Sequence, residues 1–168
     1  MMAQPTRFIA FSAIALMLAA CGGQEAEETE AMTFSRPEAT ANLIMELPVT
    51  TSSTDAADQF LQGQRAMDMG RFIDAYAHFT NAIEADQSFA LAYLRAADAA
   101  PTLDAFKANL DSARQLAGNV TRAEQVLIEI TQRGFLNDVE GQLQLANELV
   151  EVQSTSPRAW LTLAGIQT

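Results

Sequence analysis

A few polar side chains in the 168-residue sequence could in principle take part in acid–base catalysis. His78 is the only histidine, and neither a nucleophile nor an orienting partner stands at a recognisable spacing from it. Asp55 and Asp58 are carboxylates three residues apart, about one helical turn, and Glu148 and Glu151 repeat that spacing. Glycosidases use two carboxylates, but a solvated helix face accounts for both pairs better. We therefore expect no enzyme and no catalytic residue.

The composition argues against further classes of function. Ten Lys and Arg residues against 21 Asp and Glu give a formal net charge of −11, which disfavours nucleic acid as a partner. One Cys and one His supply neither a disulfide framework nor a His/Cys metal site, so we expect no metal and no cofactor. With 49% hydrophobic residues the chain can bury a core, and its many alanines with few Gly and Pro favour helix.

The first 20 residues have the organisation of a secretory signal peptide. Arg7 precedes an apolar run at 8–20, which is too short to cross a bilayer. The run ends in Leu-Ala-Ala followed by Cys21, which resembles the lipobox of bacterial lipoproteins. The resemblance implies lipidation of Cys21 and membrane anchoring, and Gly22 implies the outer membrane, facing the periplasm, in a Gram-negative cell. The alternatives are an ordinary signal peptide with a chance cysteine, or a buried thiol in a core helix.

Residues 21–53 are predicted to form an acidic flexible tether followed by an extended segment. The part at 22–33 has four Glu and no basic residue, so it repels itself and stays solvated. Pro37 and Pro48 argue against one continuous helix, and an apolar cluster lies at 43–47. An extended segment docked onto the first helices is one interpretation, which the sequence leaves open.

Residues 54–168 are predicted to form a domain of short amphipathic helices. Capping pairs mark several starts: Ser52 with Asp55, Thr121 with Glu124, Asn137 with Glu140, and Ser156 before Pro157. The predicted helices are 54–69, 72–85, 89–99, 102–117, 121–133, 138–153 and 157–167. One apolar face is predicted from the helical spacing of Phe72, Ala75, Phe79, Ala82 and Ile83.

Residues 56–168 resemble tetratricopeptide repeats (TPR). Gly63 stands at the family's small position on helix A, and Ala75, Phe79 and Ala82 repeat its A-x₃-F-x₂-A spacing on helix B. Trp160 begins a fresh helix A of the same pattern. The resemblance implies an all-α fold, a right-handed α-solenoid of about three helix pairs plus an unpaired C-terminal helix. The second helix B lacks the A-x₃-F-x₂-A spacing, and an unrelated Ala-rich helical bundle is the alternative.

The TPR resemblance also implies a function. Such arrays bind proteins or peptides on the concave surface lined by their A helices, so we expect a membrane-anchored scaffold for an extended peptide with some basic character. The expected partner-binding residues are Phe60, Gln64, Met67, Leu91, Leu94, Asp98, Glu124, Leu127, Thr131, Arg158 and Leu161. The alternative is a lipoprotein that binds a small ligand or a cell-wall glycan in a pocket between helices, which a closed apolar pocket with converging polar groups would favour.

The C-terminal helix has no second helix to pair with. Solenoids usually end in a capping helix with a polar outer face, whereas here Trp160, Leu161 and Leu163 would be left half covered. We expect an exposed apolar patch, either because the chain is truncated or because another chain covers this face.

Overall fold

A computed structural model describes residues 49–167. The predicted signal peptide, the lipidation of Cys21 and the tether up to residue 48 lie outside the described residues. The described part is all-α, as predicted, with seven α-helices and no strand. A 3₁₀ turn, Ala117–Asn119, follows the fourth helix. The helices are α1 Thr54–Asp68, α2 Phe72–Ala85, α3 Ala90–Asp98, α4 Leu103–Leu116, α5 Arg122–Phe135, α6 Val139–Val152 and α7 Pro157–Ile166. In this part of the chain, no helix has both the length and the hydropathy needed to cross a bilayer.

Two of the predicted N-cap residues are displaced by one position. The N-cap of α1 is Ser53 and not Ser52, because the Ser53 hydroxyl accepts the N–H of the third helical residue at 3.2 Å. The N-cap of α6 is Asp138 and not Asn137. Asn137 has a φ of 57°, a left-handed conformation that ends the preceding turn, so the capping role passes to the next residue.

Consecutive helices pack as neighbours along the chain. α1 packs on α2, α3 on α4 and α5 on α6, while α2 contacts α3 and α6 contacts α7. Helix α3 also contacts α5. Six of the nine residues of α3 are buried, which places this short, alanine-rich helix at the centre of the described core.

The α1–α2 pair is closed by a glycine and an aromatic ring. An added Cβ at Gly63 would lie 2.6 Å from the ring of Phe79, so only glycine allows this approach. Phe79 is fully buried, and its ring centroid lies 5.6 Å from that of Phe60. Of the apolar face predicted for α2, Ala75 and Ala82 are buried as well. Phe72 is instead 55% exposed, because it opens the helix at a position beyond the last turn of α1.

Candidate functional site

Side chains from α1, α3, α5 and α7 converge on one narrow surface, which we call the groove. Its lining residues are Val49, Phe60, Gln64, Leu91, Arg95, Leu127 and Arg158. The remaining cavity volume is about 10 Å³, which leaves room for about one water molecule. The groove is therefore filled by the chain's own side chains.

The residues that precede α1 form part of this filling. We call Val49–Ser53 the strap. The Thr50 backbone N–H donates to Glu124 Oε1 at 2.7 Å, and the Thr50 hydroxyl donates to Glu124 Oε2 at 2.5 Å. The Thr51 hydroxyl donates to Asp86 Oδ2 at 2.5 Å. The strap thus reaches from the first turn of α5 to the loop between α2 and α3 before it enters α1.

Glu124 is the principal anchor of the strap. It is fully buried in the first turn of α5, where it completes the predicted capping box with Thr121. The Thr121 N–H and hydroxyl donate to Glu124 Oε2 at 2.9 and 2.7 Å. Together with the two donors of Thr50, four hydrogen bonds reach one carboxylate. Charge-assisted bonds of this number offset the cost of burying the charge.

Asp86 is the second anchor. Its Oδ1 accepts the N–H and the hydroxyl of Ser88 at 2.9 and 2.6 Å, while its Oδ2 receives Thr51. The Ser88 hydroxyl, followed by the Thr51 hydroxyl, lowers the pKa of Asp86 below its ordinary value, since both bonds favour the ionised carboxylate. Two adjacent residues of the strap, Thr50 and Thr51, are thus each held by a carboxylate.

Two arginines bring positive charge to the groove. Arg95 pairs with Asp98 at 2.8 Å within α3, where burial raises the pKa of Asp98 and the arginine opposes that rise. Arg158 at the start of α7 pairs with Asp68 at the end of α1, at 3.0 Å. This second pair joins helices whose contacting residues are 90 positions apart, so it links the beginning of the helical array to its end.

Two buried polar atoms of the groove have no hydrogen-bond partner among residues 49–167. They are Gln64 Oε1 and Arg95 Nε, one acceptor and one donor. Gln64 is only 3% exposed, so water reaches it poorly. A buried polar group without a partner is costly, and a bound segment that supplied partners would gain free energy from both atoms.

The predicted partner-binding residues divide by exposure. Buried members are Phe60, Gln64, Leu91, Leu94, Glu124 and Leu127; half-buried ones are Met67, Asp98, Thr131 and Arg158; Leu161 is exposed. Five of them line the groove: Phe60, Gln64, Leu91, Leu127 and Arg158. Leu94 is fully enclosed by neighbouring helices, because α3 lies at the centre of the core, and it presents no surface in this conformation. Their role in partner binding stays a prediction.

Sequence reasoning missed two groove residues, Val49 and Arg95. Arg95 lies four residues after Leu91 on α3, so helical spacing alone places the two side chains on one face. Val49 precedes two threonines, and such β-branched residues favour an extended backbone. Neither signal says that the segment reaches α5.

Two of the other candidates for chemistry, His78 and Glu148, pair with side chains of a neighbouring helix. His78 Nδ1 lies 2.9 Å from Gln59 Oε1, across the α1–α2 pair. Glu148 accepts the Nε of Arg122 at 2.7 Å, an interaction between α6 and α5. Within the described range 49–167, no group of three or more His, Cys, Asp or Glu residues is arranged to hold a metal ion.

The last helix exposes part of its apolar surface. Trp160 is 52% exposed and Leu161 is 60% exposed, as expected for an uncovered face. Trp160 Nε1 donates to the carbonyl oxygen of Ser154 at 3.0 Å, which fixes the indole against the preceding turn. Leu163 differs from the expectation, because its side chain is buried against the core.

No protein-family model matches the chain, and neither does any curated protein or solved structure. Functional inference therefore rests on the sequence patterns and on the geometry of the groove.

Proposed function

We propose that this chain is a membrane-anchored interaction protein of the bacterial cell envelope, whose groove binds an extended segment of a partner protein. In this proposal the helical domain is a right-handed solenoid of TPR-like helix pairs. Cys21 carries the lipid, and the protein faces the periplasm from the outer membrane. It needs no cofactor and catalyses no reaction.

The order of helix contacts supports the solenoid. The two helices of each predicted pair pack against each other. In addition, α2 contacts α3 and α6 contacts α7, which is the neighbour-to-neighbour pattern of stacked repeats. The close approach of Gly63 and Phe79 occurs at the two positions where TPR motifs place a small residue and an aromatic. The helix contacts and this close approach are separate observations, and both support the family resemblance.

One observation carries the peptide-binding role: a non-helical segment of the chain, the strap, already lies against the groove. The strap is held through a main-chain N–H, a hydroxyl and a valine side chain that packs on the core. Any extended peptide without proline at this position offers the main-chain N–H, whereas the hydroxyl and the branched apolar side chain depend on its sequence. With the strap in place the remaining volume is about 10 Å³, too little for a sugar, and the segment that already lies there is polypeptide, so we favour a peptide over the small-ligand alternative.

Site-specific photocrosslinking in intact cells tests the groove. A photoreactive amino acid at Met67, which is half-buried on α1 three residues after the groove residue Gln64, should yield a discrete adduct whose partner mass spectrometry identifies. The matched control is Ile73, which is 83% exposed at the start of α2. A partner that crosslinks from Met67, and not from Ile73, supports the proposal. Equal crosslinking from both positions, or none from Met67, contradicts it.

The anchor has a separate test. Cys21→Ser should move the protein from the membrane fraction to the soluble fraction, because no acyl chain can then be attached. Metabolic labelling with a fatty-acid analogue should label the unsubstituted chain alone. Unchanged membrane association and labelling of Cys21→Ser would contradict lipid anchoring at this residue.

A further inference from the structure

We propose that the strap is a built-in competitor for the groove, and that the groove recognises an extended segment with a branched apolar residue followed by threonine or serine. This inference rests on the proposed function, because it names the ligand class and the regulation of the same groove. A partner segment would bind where Val49 and Thr50 now lie, and the strap would have to leave first.

The requirement for a hydroxyl residue comes from Glu124. One of its oxygens accepts the Thr50 N–H, which any residue except proline supplies. The other oxygen accepts the Thr50 hydroxyl, which only serine or threonine supplies at that distance from the backbone. Because Glu124 is fully buried, a residue without the hydroxyl would leave the carboxylate with three of its four hydrogen bonds, one from the Thr50 N–H and two from Thr121. The carboxylate therefore discriminates in favour of Ser and Thr.

The preference for a branched apolar residue comes from the groove wall. Val49 lies with Phe60, Leu91 and Leu127, all three of which are buried. A charged side chain here would be desolvated beside carbon atoms, whereas valine or isoleucine fills the space. Val49 thus fits the apolar wall and Thr50 bonds to Glu124, so two consecutive residues satisfy both parts of the site.

The strap can leave without taking the helices apart. Thr50 is exposed although its donors are engaged, and Val49 and Thr51 are only half-buried. In the described structure, the hydroxyls of the strap bind the side chains of Glu124 and Asp86. Neither residue takes part in the aromatic contacts between helices. Strap release is therefore a local event with a small free-energy cost compared with unfolding.

A partner has a source of affinity that the strap does not use. Gln64 Oε1 and Arg95 Nε stay without hydrogen bonds among the described residues while the strap is in place. A longer segment that donates to the first atom and accepts from the second would gain both bonds on binding. Such a segment can displace the strap although the strap is covalently attached to the site.

The size of the competition follows from tethering. A short tether gives an effective concentration of about 1 mM at the site. With an intrinsic Kd of about 100 μM for the strap itself, a competing peptide should bind the strapped groove about tenfold more weakly than the open groove. This factor is what the experiment measures.

The experiment uses the full-length protein and a fluorescent peptide with the sequence of residues 44–53. Thr50→Pro removes both donors to Glu124, and Thr50→Val keeps the shape and the N–H but removes the hydroxyl. We expect the peptide to bind Thr50→Pro about tenfold more tightly than the unsubstituted protein in fluorescence anisotropy, with Thr50→Val between them. Adding Glu124→Gln to Thr50→Pro should weaken peptide binding at least tenfold, and the exposed Glu140→Gln should leave it unchanged.

Equal peptide binding to all the variants, or no binding to any, would overturn the competitor role. Circular dichroism checks that each variant is folded. If Thr50→Pro is not folded, the test is whether Thr50→Val binds the peptide more tightly than the unsubstituted protein does. Failure of the proposed function is distinguishable. A cellular partner crosslinked equally by the unsubstituted protein and Thr50→Val would overturn the competitor role and leave the groove function standing. Peptide binding as expected, with no cellular partner crosslinked from Met67, would overturn the partner-binding function alone.

Discussion

The groove and the turns that join paired helices differ in which side chains they bury. In the groove, the carboxylate of Glu124 is fully buried and receives four hydrogen bonds. At the turns, large apolar side chains stay in solvent: Met69 is 67% exposed, Ile73 83% and Leu136 60%. The contrast shows that helix pairing depends on the interior contacts behind the turns, while the buried carboxylate of Glu124 is matched by hydrogen bonds.

The largest expected effect separates two phenylalanines of α2. Phe79→Ala should lower the free energy of unfolding by about 3–5 kcal/mol, because it empties a fully buried site against Phe60 and Gly63. Phe72→Ala should cost less than about 1 kcal/mol, because that ring is 55% exposed. Urea denaturation followed by circular dichroism measures both. Similar losses for the two variants would erase the distinction between interior and turn.

A carboxylate pair gives the next largest difference. Glu124→Gln should destabilise the protein by about 2 kcal/mol, since an amide cannot accept all four hydrogen bonds that the carboxylate now accepts. Glu140→Gln, at an exposed position in the first turn of α6, should change stability by less than about 0.5 kcal/mol. The same denaturation assay applies. A stable Glu124→Gln protein would mean that the buried charge is not held by these bonds.

Two glycines test the close approach within the first pair. Gly63→Ala should destabilise by about 1–3 kcal/mol through overpacking, partly offset by the better helix propensity of alanine. The added Cβ meets the Phe79 ring at 2.6 Å, whereas none of the neighbouring atoms lies within 4 Å of a Cβ added at Gly118. We expect Gly118→Ala to be nearly neutral. Thermal unfolding compares the two, and a neutral Gly63→Ala would contradict the packing at this position.

The smallest expected effect is a shift in an acid titration. The pKa of Asp86 is lowered by the hydroxyls of Ser88 and Thr51, so its contribution to stability is present at neutral pH and is lost as pH falls through the lowered pKa. Thr51→Val should raise this pKa towards its ordinary value. Asp138, whose pKa is lowered by the Gly141 N–H and then by Arg133, should titrate unchanged. NMR titration of the carboxyl carbons measures both, and an unmoved Asp86 would show that the strap does not reach it.

Local sequence patterns account for most of the helical fold. The predicted helices agree with the described ones to within two residues at each end, because caps and breakers act over three or four positions. The Thr121–Glu124 capping box is confirmed for the same reason. Asn137 misled the prediction, since capping propensity alone does not distinguish a cap from a left-handed turn residue.

The groove was predictable only in part. Phe60, Leu91 and Leu127 were predicted from the resemblance to tetratricopeptide repeats, and they do lie together. The bonds between Thr50 and Glu124 span 74 residues, and no short-range pattern encodes a contact of that separation. What fills the groove could therefore be learned only from the three-dimensional arrangement.

Amide hydrogen exchange at Thr50 is the most direct test of the occupied groove. In the full-length protein at neutral pH, the Thr50 N–H should exchange at least tenfold more slowly than in an unstructured peptide, because it donates to a buried carboxylate. In Glu124→Gln this protection should fall markedly, while the interior of α3 stays protected. Exchange of Thr50 at the unstructured rate in the unsubstituted protein would contradict the account.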